Sequence, residues 1–558
     1  MQFGIKKTLF LLLALFLCIP GSANAAGKSP ETVIDAPRHS RLVFPGADEK
    51  LVYNKESDGT RLPDFSHAGF RGGGIPIPTI LEKVMVRPSG GEDRETIQAA
   101  IDQVSALSPD KNGFRGAVLL KVGRYKVTGT LYIEKSGVVL RGEAGTVIDH
   151  HTADGKKGEK TSLFLFSPNK KFGKWSHKKV AVKGTRRKIV DGYVPLGARK
   201  ITLKSASGLK VDDAIVVVRR STAKWISALG MDAIPERDDG RRIKQWRPGK
   251  YDIPYYRFIS SISGNVVTLD APLFHSLSKE YGPSYIQELD LSSVLRNVGV
   301  EQLEAVSHGA SFFDSEAHPW TMIEMQGVYD GWVRDVTSRK YAHALIKTGR
   351  FTRNISVARS RYLEPESEVR GRRRYPFHLQ GQLHLGWRLF AENGRHDFVT
   401  GRQWSSGIVF LESRSVGTLS VTEPHHRYST GILYDNVRIE KPGTDRLVMA
   451  LWNRSNFGSG HGWAAANSVL WNCVAGSGVA VEKPPLAQNY AIGVRSPAMT
   501  GNANRNQQAA TETFQPNGAH WEWWNHGPVT PQSLYRAQMR DRLGEKGLAA
   551  LENGMKQQ

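Results

Sequence analysis

Cysteine is almost absent: the 558-residue chain has two, Cys18 and Cys473. Cys18 falls in an apolar leader, so Cys473 stands alone and an internal disulfide framework is excluded. Long apolar runs are missing too. The run from Thr8 to Pro20 follows Lys6-Lys7 and precedes Ala23-Asn24-Ala25. It is too short to span a bilayer and reads as a secretory signal peptide cleaved near Ala25, which places the protein in the secreted or periplasmic class. Leu17 stands before Cys18 where a lipoprotein signal would carry a small residue. Acidic residues are in deficit, with 53 Asp and Glu against 76 Lys and Arg, a formal net charge of +23. A field of that sign concentrates polyanions. No nucleic-acid module is recognisable and the basic residues are scattered, so an acidic polysaccharide is the expected partner, ahead of nucleic acid or anionic lipid.

Helices between the β-rich runs are also lacking, which excludes a doubly wound α/β domain. A polar stretch ends in Gly72-Gly73-Gly74 and Ile75-Pro76-Ile77-Pro78, an irregular extended lead-in. Glu92 to Ile101 (EDRETIQAAI) has acidic residues in its first turn and apolar residues at helical spacing, the pattern of a capping helix. Short β-runs follow at Ala117 to Leu120, Gly123 to Val127, Leu131 to Ile133 and Val138 to Gly142. This succession of helix, Gly-Arg-Tyr strand and Leu140-Arg141-Gly142 turn resembles the opening of the pectate-lyase-like superfamily. The resemblance implies an all-β, right-handed parallel β-helix and a polysaccharide lyase or glycoside hydrolase. It speaks to fold more than to chemistry.

From about Thr185 to Leu291 the rhythm breaks into what reads as a small antiparallel unit with Gly264-Asn265 as a hairpin turn, and with Trp225, Leu229, Met231, Trp246 and Tyr251 among charged residues. The repeat then returns. Val333 to Arg339 (VRDVTSR) and Ile355 to Arg361 (ISVARSR) match at an offset of 22, Ser338 to Ser360, roughly one coil of three short strands. Ser533 to Leu543 is amphipathic and predicts a helix capping the C-terminal end. The expected division is a signal peptide at 1–25, an extended region at 26–90, first coils with their capping helix at 91–184, an inserted β module at 185–291, the main β-helix at 292–500 and a tail with helix at 501–558.

Residue types suited to catalysis concentrate between Lys340 and His461. Coils stack about 4.8 Å apart, so equivalent positions of successive coils form a ladder. Elimination next to a uronate needs a cation on the carboxylate, a base for the C5 proton and an acid for the leaving oxygen. Arg374, Arg395 and Arg427 are the predicted carboxylate clamps. His378, His396, His425 and Lys340 are the predicted bases, and Tyr375 or Tyr428 the acid. Substrate contacts are expected from His343, His384, His426, Tyr428, His461, Trp463, Asn453 and Asn489. Trp404, Trp452, Tyr490, Trp521, Trp523 and Trp524 offer flat faces for sugars.

Two rival readings remain. A hydrolase on the same fold needs paired carboxylates. Gly460-His461-Gly462 matches part of the polygalacturonase pattern, but the adjacent aspartates, Asp212-Asp213 and Asp238-Asp239, lie far upstream, which leaves Asp314, Asp330, Asp335, Asp397 and Glu423. A non-catalytic, adhesive glycan-binding solenoid would spread its aromatics and charges evenly, which this chain does not. No run has the clustered carboxylates of a calcium site or the spacing of a zinc motif, so no metal or cofactor is expected.

Overall fold

In the computed structural model the described residues are 38–152, 158–169, 175–309, 316–500 and 518–553. The leader assigned to a signal peptide lies outside them, as do Asp314 and residues 501–517. Among the described residues no helix is long and apolar enough to cross a membrane.

Parallel pairing dominates. One ladder climbs from Glu82–Val86 through Gly116–Leu120, Val138–Gly142 and Leu295–His308, then through Val328–Arg339, Arg353–Ala358, Leu385–Trp387, Val409–Leu411 and Leu433–Asp435 to His520–Glu522. A second follows Arg361–Leu363, Phe390–Glu392, Arg414–Val416 and Arg438–Glu440. A third joins Gly158–Phe166, Pro319–Met325, Ala344–Thr348, Phe377–His378 and Phe398–Val399. The chain is a right-handed parallel β-helix, the solution that lets each coil bury an inner face that it could not bury alone. The first coil strand precedes the capping helix, Arg94–Ala106, whose Ile97, Ala100, Ile101 and Val104 close the end of the core.

The coil spacing differs from the sequence reading. Val333 pairs with Val357 and Ser338 with Tyr362, a step of 24 and not 22. Side chains alternate with a period of two, so a slip of two residues keeps every inward position inward, and sequence similarity cannot tell the two registers apart. Inside, aromatic rings continue from coil to coil: Phe377 stacks on Phe398 at 5.9 Å, Phe398 meets Phe410 at 5.7 Å, and Phe410 stacks on Tyr434 at 5.3 Å. Phe410 is fully buried. Phe410→Ala is therefore expected to lower unfolding free energy by about 3–5 kcal/mol, read as a shift in the denaturant midpoint; a cost below about 1 kcal/mol would contradict continuous packing through this point.

Between the coils, residues 187–288 form a six-stranded antiparallel sheet. Its Ile253–Ser263 and Val266–Leu269 strands turn at Gly264-Asn265, with Gly264 at φ 57° as a two-residue hairpin requires. The sheet packs on the solenoid through aromatic contacts, Trp225 edge-on to Tyr428 at 5.0 Å and Trp463 Nε1 donating to Leu229 O at 3.2 Å. The C-terminal helix, Leu534–Asn553, is broken at Gly544 and lies against the flank of the coils instead of capping them. Buried Asp435 accepts from Ser533 Oγ at 2.7 Å and Tyr535 N at 2.8 Å, and Arg536 donates to Glu412. These polar anchors outweigh the amphipathic pattern that suggested a cap.

Candidate active site

Along the third ladder Phe377 and Phe398 point inward, so their neighbours face out. Lys347, His378 and Val399 are register partners on consecutive coils, and an isolated bridge from Thr400 to Pro424 carries the row on to Glu423. Residues from separate loops thus meet over this face. The Tyr375 ring lies 5.3 Å from His343, 5.6 Å from His378, 4.9 Å from His396 and 5.3 Å from His425. His425 in turn lies 5.5 Å from His426 and 5.2 Å from His461.

Glu423 is the buried centre of this cluster, 0% exposed. Arg454 donates to its Oε1 at 2.9 Å, Trp452 Nε1 donates to Oε2, and His425 Nδ1 sits 3.0 Å from Oε1. Burial pushes its carboxyl up to about 7 against the pull of Arg454. The Arg454 guanidinium also donates to His425 Nδ1 at 2.6 Å. His425 Nδ1 thus lies beside both a donor, Arg454, and a carboxyl oxygen of Glu423, while its Nε2 lies 3.1 Å from Tyr375 Oη. Arg395 Nη1 approaches the same oxygen at 3.4 Å. With the imidazole proton on Nε2 the phenol accepts from both and keeps its own proton.

Burial holds His425 well below the usual imidazole range, with Arg454 adding to it, and holds Tyr375 above the usual phenol range. At neutral pH the imidazole is uncharged and the phenol protonated. His343 Nδ1 donates to Arg372 O at 2.7 Å, which leaves Nε2 as an acceptor, and burial with nearby Lys347 lowers its pKa to about 3. A neutral base and a protonated acid therefore stand 5.3 Å apart, centroid to centroid, beside Arg395.

His396, Glu423 and His425 bring ligand-type atoms within 4.8 Å of one another, the set among the described residues that is close enough together to be tested against a metal ion. The donors do not fit one well. Arg454 occupies the gap between Glu423 and His425, and His396 Nδ1 is committed to Val421 O at 2.6 Å. A guanidinium already supplies the positive charge there.

Other predicted residues sit elsewhere. His396 is 1% exposed and lies beneath Tyr375 instead of facing a ligand. His384 is sealed inside, accepting from Ile355 N at 3.0 Å, with Thr352 Oγ1 at 3.0 Å from Nε2. Tyr428 and Trp463 are buried under the inserted sheet. Asn489 is fully buried, donating to Glu482 O at 2.9 Å. Asn453 Oδ1 accepts from Ser455 N. Arg374 spends its donors on Ser367 and Asn393, Lys340 pairs with Glu366 at 2.7 Å, and Arg427 reaches Ser459 Oγ at 2.9 Å. Trp452 and Trp521 are buried and Trp523 donates to His39 O. Arg454 escaped the sequence reading because nothing in Asn453-Arg454-Ser455 marks it; only the coil register brings it to Glu423.

No family model and no curated protein matches the chain. Among solved structures it is similar to the tailspike protein gp49 from Pseudomonas phage LKA1, at 13% identity and a TM-score of 0.36 over 73% of this chain and 64% of that one. It is similar to PfbA, a surface adhesin of Streptococcus pneumoniae, at 10% and 0.38 over 78% and 82%, and to the family GH82 iota-carrageenase from A. fortis, at 12% and 0.26 over 80% and 62%. The aligned part spans just under two thirds of the tailspike and of the carrageenase. Likeness this distant carries nothing about the chemistry of the site.

Proposed function

We propose that the protein is a polysaccharide lyase acting outside the cytoplasm, which cleaves a uronate-containing polysaccharide by β-elimination at the Tyr375 cluster. The observation that carries this reading is the hydroxyl of Tyr375, which accepts from Arg395, lies 3.1 Å from His425 Nε2 and opposes the neutral imidazole of His343. In the proposed reaction Arg395 offsets the charge of the uronate carboxylate, which makes the C5 hydrogen more acidic. His343 Nε2 takes that proton. The electron pair forms the C4–C5 double bond, the C4–O bond breaks, and the leaving oxygen takes the proton of Tyr375. His343 then releases the C5 proton to solvent and the phenol regains one from it, so neither water nor a redox partner is consumed. Arg454 acts through His425 by donating to its Nδ1, which holds the proton on Nε2, and Glu423 positions Arg454.

Hydrolysis is the second reading, favoured by one observation. The segment that contains Asp238-Asp239 lies against the loop before His461, because Asn456 Nδ2 donates to Glu236 O at 2.8 Å and Lys244 N to Ser459 O at 3.1 Å. Against it, Asp239 is ion-paired with Arg237, Asp397 accepts from Ser415 Oγ in full burial, and Asp330 and Asp335 pair with Arg296 and Arg359. The deciding experiment incubates the protein with galacturonate, mannuronate and guluronate polymers and follows the ultraviolet absorbance of the unsaturated uronate. The expected result is a rise in absorbance with at least one polymer. New reducing ends without the chromophore would replace elimination by hydrolysis, and binding without either product would leave an adhesin.

A further inference from the structure

Next to the Tyr375 cluster is a groove of about 610 Å³ whose walls include Trp175, Lys347, Arg350, Gln380, Arg402 and Trp404. It is joined to the cluster by side chains: Trp404 Nε1 donates to Gln380 Oε1 at 3.4 Å, and Gln380 Nε2 donates to His378 Nε2 at 2.8 Å. Two guanidiniums lie near the Trp404 ring, Arg402 at 5.2 Å and Arg350 at 5.5 Å from its centroid. The carboxylate in the groove, Glu324, is taken by Lys347 at 3.1 Å and by Gln326. Arg402 is different. Among the described residues its guanidinium donates to no carboxylate, and burial lowers its pKa, with the cations Arg427 and Arg350 adding to this against the pull of Tyr251. Arg350 donates to Trp175 O at 2.7 Å, and a guanidinium without a carboxylate partner beside an aromatic face, as at Arg402, suits a planar anion.

We infer that the Arg350–Trp404–Arg402 groove is a subsite for one uronate unit of the bound chain, with the pyranose face on Trp404 and the carboxylate on the Arg402 fork. This rests on the reading of the Tyr375 cluster as a uronate site and names a specificity element that the reading itself does not require. Stacking uses the apolar face of the sugar, while the guanidinium meets the carboxylate with two parallel donors that an amide or ammonium cannot reproduce.

The test titrates hexamers of galacturonate, mannuronate and guluronate, with maltohexaose as neutral control, into the uncleaving Tyr375→Phe protein and into the same protein carrying Arg402→Gln, Arg402→Lys or Trp404→Ala. The tightest uronate hexamer is expected to bind about tenfold or more weakly after Arg402→Gln or Trp404→Ala, with Arg402→Lys in between. Maltohexaose binding should not respond to Arg402→Gln. Melting temperature identifies any variant that fails to fold, in which case Arg402→Lys, which keeps the charge and loses the fork, decides. Equal hexamer affinity in folded Arg402→Gln and Trp404→Ala proteins overturns the subsite, as does failure of every uronate hexamer to bind. If the otherwise unchanged protein cleaves uronate polymer and its KM ignores Arg402→Gln, the subsite falls and the lyase reading stands. Hexamer binding that depends on Arg402, without any product from the parent protein, sinks the lyase reading and keeps the subsite.

Discussion

Replacing Tyr375 by phenylalanine is expected to lower kcat on the cleaved uronate polymer by about 10²–10⁴-fold, the usual worth of a positioned proton donor, with KM little changed. The substitution is narrow. The ring keeps its edge-on contact with His396 and its place beside His378 and His425, and only the hydroxyl is removed. What disappears is the hydroxyl that stays protonated at neutral pH, accepts from Arg395 and in the proposed mechanism gives its own hydrogen to the leaving oxygen. A stability cost of about 1 kcal/mol is expected, because His425 Nε2 loses its acceptor. His343→Ala should bring a loss of the same order through the base. If purified Tyr375→Phe protein cleaved within about twofold of the parent rate, well below the smallest effect of a general acid, the proposed mechanism would be wrong.

Stability should fall steeply as the pH is lowered from about 6.5 to 5. The cause is a set of buried, neutral histidines. Burial depresses His150, His275, His343 and His384 to about 3 and His461 to about 2, and holds His378, His396, His425 and His426 well below their ordinary value. In the unfolded chain each titrates near 6.5, so below that pH the unfolded state binds protons that the folded state refuses. Stability present above 6.5 is then lost as pH falls toward the folded values, at up to about 1.4 kcal/mol per pH unit for each histidine. Glu423 and Asp435, raised to about 7, and Asp397, raised to about 6, act in the opposite sense: their burial favours the protonated form, and their contribution is lost as pH rises through those values. The histidines outnumber them, so below 6.5 the acid side wins. Melting temperature measured across pH 5–8 in one ionic strength checks this; a flat profile from 7 to 5 would mean that these imidazoles are solvated and that the cluster is open in solution.

The two predictions use different parts of the same arrangement. In the proposed mechanism catalysis depends on the upper rim, where Tyr375, His343 and Arg395 sit. The pH response depends on what lies beneath them and elsewhere in the core, where side chains such as His396 and His384 have no exposed face. A pH-activity profile taken without the stability profile would confuse the two, since His343 itself stays neutral down to about 3 and gives no limb near neutrality.

Much of this was legible in the sequence, for reasons that are local. Apolar residues at alternating positions, turns every few residues and the absence of intervening helices specify stacked β-coils, and Glu92 to Ile101 marks a helix by its own periodicity. The crowding of histidine, arginine and tyrosine between Lys340 and His461 located the cluster, because coils of one solenoid must stack neighbouring segments against each other. Tertiary structure alone decided which members of that crowd meet. A slip of two residues is invisible to a period-two pattern, so the step of 24 came only from pairing, and with it the approach of Arg454 to Glu423 and His425. The inserted sheet covered Tyr428 and Trp463 with Trp225 and Leu229 from more than 190 residues upstream, a contact that no local signal encodes. The guanidinium beside His425 Nδ1 likewise comes from another coil. Local physics determines what each segment must bury; long-range packing determines what it is buried against, and that second choice brings Tyr375 among the imidazoles and Arg395.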